Sequence, residues 1–357
     1  MRERIYNFSL NRPWLVLLIS ILLVLSTAYG TKNLIFKGDY KVFFSEDNPQ
    51  LTAFESVQEI YSKSDNVAFI LEPTNGDIFT KENLAAVYWL TTESWQVPYS
   101  TRVDSISNFQ YTVAEEDDLI VEDLVLDPDT LTAADMPKLK EIATNDPLLL
   151  NKIVSKSGHV TIVNVTNQLP GVDPITEVPE VAAKIREIKA QFEEKFPNIN
   201  VQLSGMVMMN NTFTETSMSD SSTLVPAMFG IVLLIMVLLL RSFSGTFATL
   251  VVIMFSIAGT MGAVGWFGFY LTGPSVSAPT MIMTLAVADC IHILTSYYYE
   301  MRQGTAKKEA LQESLRVNFK PILLTSITTA IGFMSMNFSD SPPFRDLGNM
   351  VAIGVML

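Results

Sequence analysis

Two ionisable side chains stand three residues apart in an otherwise apolar run, Leu285-Ala-Val-Ala-Asp289-Cys-Ile-His292-Ile. On a helix that spacing places both on one face. Taking a carboxylate out of water favours its protonated form, and a neighbouring cation favours the charged one. An aspartate held between those influences can load a proton from one side of a barrier and release it on the other. An Asp–His pair that only locks helix packing is the alternative reading. Two residues make no metal site, since no further ligands stand at suitable spacing. A second polar group, Thr325, Ser326, Thr328 and Thr329, interrupts the run from Pro321 to Phe338. Its hydroxyls either bond across helices or solvate a proton path. Cys290 points to another part of the helix and reads as a small apolar filler, and His159 as a surface histidine. No nucleophile–base pairing, glycine-rich phosphate loop or zinc signature is present, so nothing indicates a hydrolytic enzyme or a cofactor.

The elements that must position these groups are long apolar segments. Crossing a bilayer takes about 20 residues, and five runs reach that scale: Trp14–Gly30, Leu224–Leu240, Phe247–Leu271, Val276–Tyr299 and Pro321–Phe338. Asp289 is the one formally charged residue in all five. Insertion scales put the cost of such a group at about 2.5–3.5 kcal/mol, and it usually faces the bundle interior on an ion or proton path. Gly259, Gly262, Ala263 and Gly265 give the third run a small-residue stripe for close helix packing. Another apolar run opens near Leu347 and reaches Leu357 without a polar stop, so the chain reads as the N-terminal half of a longer protein. The first run follows Arg2, Arg4 and Arg12 and ends Ala28-Tyr29-Gly30, a shape shared with signal peptides. The later spans favour an uncleaved anchor.

Charge orients these segments. Of 357 residues, 48% are hydrophobic and 17% charged, against about 25% charged in soluble domains. The net charge of −13 excludes a nucleic-acid binder, which needs a basic face. A single cysteine excludes a disulfide scaffold. Residues 31–222 hold 30 acids and 14 bases, a net of −16; the remainder holds 7 acids and 10 bases, a net of +3. The bases near the spans are Arg2, Arg4, Arg12 and Arg241, then Arg302, Lys307, Lys308, Arg316 and Lys320. All fall on one side if the spans alternate, and basic short loops face the cytoplasm. The expected organisation is a cytoplasmic N-terminus (1–13), a first span (14–30), an extracytoplasmic domain (31–222) and a transmembrane bundle (223–357). Within 300–320, Leu311, Leu315 and Phe319 recur at spacing four beside Lys307, Lys308 and Arg316. That pattern predicts a helix lying on the cytoplasmic membrane face.

The acidic segment reads as a folded α+β domain. Asn66–Glu72 predicts a buried strand, followed by a Thr-Asn-Gly turn and a helix from Lys81 to Trp95. Arg102–Ser107 alternates as a strand does. Lys152–Ser155 and His159–Asn167 predict a hairpin around Ser157-Gly158. Pro179–Phe196 predicts an amphipathic helix on Val181, Ile185, Ile188 and Phe192, and Val201–Ser204 a last strand closed by Gly205. Strand–helix–strand occurs twice, which suggests two small units side by side. Ala114–Asp129 is acid-rich without a base and reads as a solvated loop; a divalent-cation loop is the alternative, although no calcium-loop spacing is present.

Four stretches resemble one family. Asp39-Tyr-Lys-Val-Phe-Phe-Ser-Glu-Asp-Asn-Pro49 resembles its segment after the first span, and Leu203-Ser-Gly205 its exit from the outer domain. Ala288-Asp289-Cys-Ile-His292 resembles its Gly-Val-Asp-Tyr-x-x-His motif, and Pro321 to Phe333 its Pro-x-x-x-Thr-Ser-x-Thr-Thr-x-x-Gly-Phe. On these, the chain resembles the resistance–nodulation–division (RND) superfamily over essentially its whole length. The nearest branch is that of MMPL-type exporters with sterol-sensing-domain-like spans. The resemblance implies a multi-span α-helical membrane protein with an extracytoplasmic α+β porter-like domain of two βαβ-type units. It implies a proton-driven inner-membrane exporter of hydrophobic or lipid-like compounds. Asp289 would be the proton-binding carboxylate, His292 its partner, and Thr325 and Thr329 neighbours in the relay. Ala288 and Cys290 depart from the motif's Val and Tyr, and losing the tyrosine removes a hydrogen-bonding group. Family members carry a second half with six more spans. The resemblance therefore makes protons, membrane lipid and a C-terminal half the expected partners. A homo-oligomer and periplasmic or outer-membrane partners are compatible with it. A lipid-binding receptor or regulatory scaffold that does not pump is the rival reading, and an auxiliary component of protein secretion a third.

Overall fold

The structure, a computed structural model, describes residues 8–61, 65–115, 118–172 and 174–357. Arg2 and Arg4 lie outside the described residues. By internal packing the chain divides into an α/β unit, Thr52–Thr212, and a helical unit formed by the residues up to Leu51 together with Phe213–Leu357. The expected domain 31–222 is thus wider than the α/β unit, because both flanking stretches pack with the helices.

The first apolar helix, α1 (Pro13–Ala28), starts with its proline at a position where the missing N–H costs nothing. A short helix α2 (Pro49–Tyr61) follows. In the α/β unit, β1 (Asp65–Pro73) buries Val67, Phe69 and Leu71 at alternate positions. A turn with Gly76 at φ +74° leads to α3 (Lys81–Ser94), where the Thr80 hydroxyl accepts the Asn83 N–H at 3.2 Å. Strand β2 (Ser100–Asp104) ends earlier than the alternation predicts. Ser105 and Ser107 leave the ladder, and their hydroxyls bond each other at 2.7 Å and the Thr91 hydroxyl of α3 at 2.9 and 3.0 Å. The acidic stretch forms a hairpin, β3 (Gln110–Glu115) and β4 (Asp118–Asp123), with Val113 opposite Ile120. It is solvated, but Val113 and the apolar run Leu119–Val121, types that favour a pleated backbone, give it strand geometry where a loop was expected. Residues 116 and 117 of that stretch lie outside the described residues.

Helix α4 (Asp135–Asn145) precedes β5 (Thr161–Asn167), which is buried at every second residue. The turn before β5 is set by Gly158 at φ +75°, and only isolated bridges form where a full hairpin arm was expected. His159 is exposed, with its Nδ1 against the Ser157 hydroxyl and 3.3 Å from that of Ser155. Helix α5 (Pro174–Lys195) buries Val181, Ile185, Ile188 and Phe192, and β6 (Ile199–Ser204) closes the unit. The sheet order is β2-β5-β1-β6, with all neighbours antiparallel. Each β–α–β segment is therefore split by a strand of the other, the arrangement of ferredoxin-like folds. The two units expected side by side share one sheet and one core. The succession of elements is visible along the chain, whereas the choice of partner strand is a long-range matter.

Helix α6 (Met206–Ser222) is followed, after Thr223, by α7 (Leu224–Leu240). Then come α8 (Phe243–Phe267), α9 (Ala278–Arg302), α10 (Lys307–Met334) and α11 (Pro342–Met356). Among the described residues, five helices are long and apolar enough to cross a membrane, and they match the five apolar runs. The segment 300–320 differs from expectation. It forms no separate surface helix: residues from Lys307 onward are the first half of α10, which continues through Pro321 to Met334. Buried Ala310 and Ser314 pack this half onto α9.

Close packing of α1 on α8 depends on absent side chains. A Cβ on Gly262 would run into the backbone of Thr27 and Ala28, and one on Gly265 into the Gly30 carbonyl. The Trp266 indole N–H donates to the Ser26 carbonyl at 3.3 Å, and its ring stacks on Tyr29 at 6.1 Å between centroids.

Candidate functional site

Helices α9 and α10 form an antiparallel hairpin across Gln303–Ala306. Residues Ala310, Ser314, Asn318, Ile322, Ser326 and Ala330 recur every four positions along α10. Four of them, Ala310, Ser314, Ser326 and Ala330, are its buried residues. Their small size lets the helices approach, and their polar members bond across the gap. Ser314 Oγ donates to the Ile293 carbonyl at 2.6 Å, and Asn318 Nδ2 to Ser296 Oγ at 2.8 Å. At the inner end of this seam Ser326 Oγ lies 3.4 Å from Asp289 Oδ2.

The Ser326 hydroxyl also reaches its own helix, 2.9 Å from the Ile322 carbonyl. One hydroxyl has one proton and two acceptor lone pairs. The Ile322 distance lies within the usual 2.5–3.0 Å and the Asp289 distance beyond it. The proton therefore rests on Ile322, and the oxygen presents lone pairs toward Asp289. A protonated carboxyl can donate to that oxygen without disturbing the serine. A charged carboxylate gains most if the hydroxyl rotates away from Ile322 and donates to it. The site thus offers matched partners for both protonation states, with a one-bond rotation between them.

The other candidates are placed differently. His292 is exposed on the same helix, close enough to act on Asp289 electrostatically. Thr325 is exposed, and its hydroxyl donates to the Pro321 carbonyl at 2.9 Å. Thr329 is half-buried beside Ala330. The structure brings Ser326, and not Thr325, to the aspartate, because consecutive helical residues point about 100° apart. The signal that singles out Ser326 is the four-residue ladder along α10. Cys290 faces Thr249 of α8. Gly259 meets the side chains of Leu357 and Thr27 more loosely than Gly262 meets the α1 backbone, and Ala263 is its half-buried neighbour. Among the described residues no three His, Cys, Asp or Glu side chains come together as a metal site. Beyond the spans, the Ser45 hydroxyl, helped by a backbone N–H, holds the Asp47 carboxyl below its ordinary range, and Arg345 adds to this.

A family model described as the MMPL family matches residues 43–357. A membrane protein of Methanocaldococcus jannaschii is 21% identical over 364 residues, which cover 99% of this chain and 89% of that protein.

Proposed function

The chain belongs to the MMPL family, a membrane permease type of the RND superfamily, and from that premise we propose that it couples proton movement to export of hydrophobic or lipid-like compounds. The observation that carries the reading is Asp289, the one formally charged residue in the five apolar runs, set against Ser326 at the inner end of a polar seam. Asp289 takes up a proton and donates it to Ser326 Oγ as a hydrogen bond. On releasing the proton it draws the serine hydroxyl away from Ile322. The change of partner alters how α9 and α10 hold each other, which gives proton binding a mechanical consequence. His292 acts as a nearby electrostatic partner, and Thr325 and Thr329 as solvating neighbours. In this reading the α/β unit lies outside the cytoplasm of an inner membrane, which the basic short loops support.

The test is reconstitution of the full-length protein into liposomes with an imposed pH gradient. Proton flux is followed with an internal pH dye and export with a fluorescent phospholipid. Asp289→Asn should yield a folded protein without gradient-driven export. Export that persists at the wild-type rate in this variant sinks the assignment. A receptor that does not pump would bind the lipid and move no protons.

A further inference from the structure

A cavity of about 440 Å³ lies wholly within the helical unit, where α7 and α9 begin. It is bounded by the stretch after α1, the last turns of α6 and the first turns of α7 and α9. Its size falls within the roughly 300–1,000 Å³ of small-molecule sites. Phe43, Val225, Met228 and Val276 supply apolar wall.

Three ionisable residues reach this cavity: Lys37, Asp39 and Asp220. The Lys37 ammonium sits 3.4 Å from the centroid of the Tyr270 ring, a cation–π contact that holds it to the ring and leaves its charge in place, so two carboxylates face one ammonium. Asp39 accepts the backbone N–H of Lys41 at 2.9 Å and forms no ion pair with a described residue. Asp220 is half-buried and has no hydrogen bond or ion pair to any described residue. A carboxylate partly removed from water beside apolar walls is uncompensated until a cation or donor reaches it.

We propose that this cavity binds an amphiphile with an apolar chain and a cationic, ammonium-type headgroup. The chain lies against Phe43, Met228 and Val276, and the headgroup is taken by Asp220 with Asp39. An anionic amphiphile of equal chain length meets two carboxylates against one ammonium held on the Tyr270 ring, and binds more weakly. A neutral one fills the apolar space and leaves Asp220 unpaired. The binding stands by itself, whereas onward transport of the bound amphiphile rests on the proposed export function.

The test is calorimetric titration of the full-length protein in phosphatidylcholine nanodiscs, corrected with protein-free discs. The probes are dodecylammonium and dodecanoate. Dodecylammonium should bind saturably and at least tenfold more tightly than dodecanoate. Asp220→Asn should weaken it tenfold or more, and Val276→Trp should abolish binding by filling the space. Equal affinity for the two probes, or unchanged dodecylammonium affinity in Asp220→Asn, overturns the proposal. That comparison decides the matter even if Val276→Trp does not fold. Absent binding alongside Asp289-dependent export overturns this inference alone. Intact binding without proton-driven export sustains it and overturns the export reading.

Discussion

Replacing Gly262 with alanine tests whether α1 and α8 meet backbone to backbone. The added Cβ would lie 2.5 Å from Ala28 Cα and nearer still to the Thr27 carbonyl, whereas ordinary contacts begin near 3.4 Å. Backbone atoms cannot rotate aside, so the helices must separate by about an ångström, at an overpacking cost of about 1–3 kcal/mol. Separation also strains the Tyr29–Trp266 stack, a pair type worth about 0.5–1.5 kcal/mol. Gly259→Ala is the matched control. Its Cβ would meet Leu357 Cδ1 at 3.3 Å and Thr27 Oγ1 at 3.6 Å, both movable side-chain atoms. Both variants gain the same helix propensity, about 1 kcal/mol, so that gain cancels between them. Gly262→Ala should be less stable than Gly259→Ala by about 1.5–4.5 kcal/mol. Thermal unfolding of the full-length protein in detergent measures the difference, and Trp266 emission reports the separation. Equal melting temperatures with unchanged Trp266 emission would refute the packing argument.

Other consequences can be checked in the same preparations. Ser326→Ala should leave the fold intact and slow gradient-driven export while changing its pH profile, and Ser326→Thr should restore both; an unaltered profile in the alanine variant argues against the hydroxyl's role. Gly205 holds φ +106° with a would-be Cβ 2.9 Å from Val67 Cα, whereas Gly76 at φ +74° faces open space. Gly205→Ala should therefore cost about 1–3 kcal/mol and Gly76→Ala clearly less, as measured by denaturation. The Thr132 hydroxyl and backbone N–H bond Asp135 at 2.7 and 2.8 Å and hold its carboxyl below the ordinary range. The stabilisation is full above the unfolded value of about 3.9 and is lost as pH falls through the lower folded value. Thr132→Val should flatten the acid limb of the stability curve, and an unchanged limb would contradict the linkage.

Local chemistry was readable from the chain to the extent that it is one-dimensional. Apolar length alone located the five spans, because bilayer thickness sets it. Asp289 stood out because charge is otherwise missing from those runs. A buried apolar run located β1, the turn after it α3, helical periodicity α5, and the run ahead of Gly205 located β6. The partner of Asp289 was less accessible, since Ser326 and Thr325 adjoin in sequence and differ only in the way they face. The continuity of α10 was hidden by Pro321, which reads as a boundary although the helix passes through it. The interleaved sheet was hidden as well: strand–helix–strand looks the same whether or not another strand enters between.

That interleaving governs how the α/β unit can be made. β1 is synthesised first and ends at the centre of the sheet, with β5 on one edge and β6 on the other. Asp65 pairs with Asn167 and Ala68 with Ser204, so both edges of β1 stay open until most of the unit has left the ribosome. No truncation between β1 and β5 leaves a satisfied sheet. Open strand edges invite pairing with other chains, and such distant contacts form slowly. The nascent unit therefore has a vulnerable interval that ends only when β6, immediately ahead of the next membrane-directed helices, docks against the strand that waited for it.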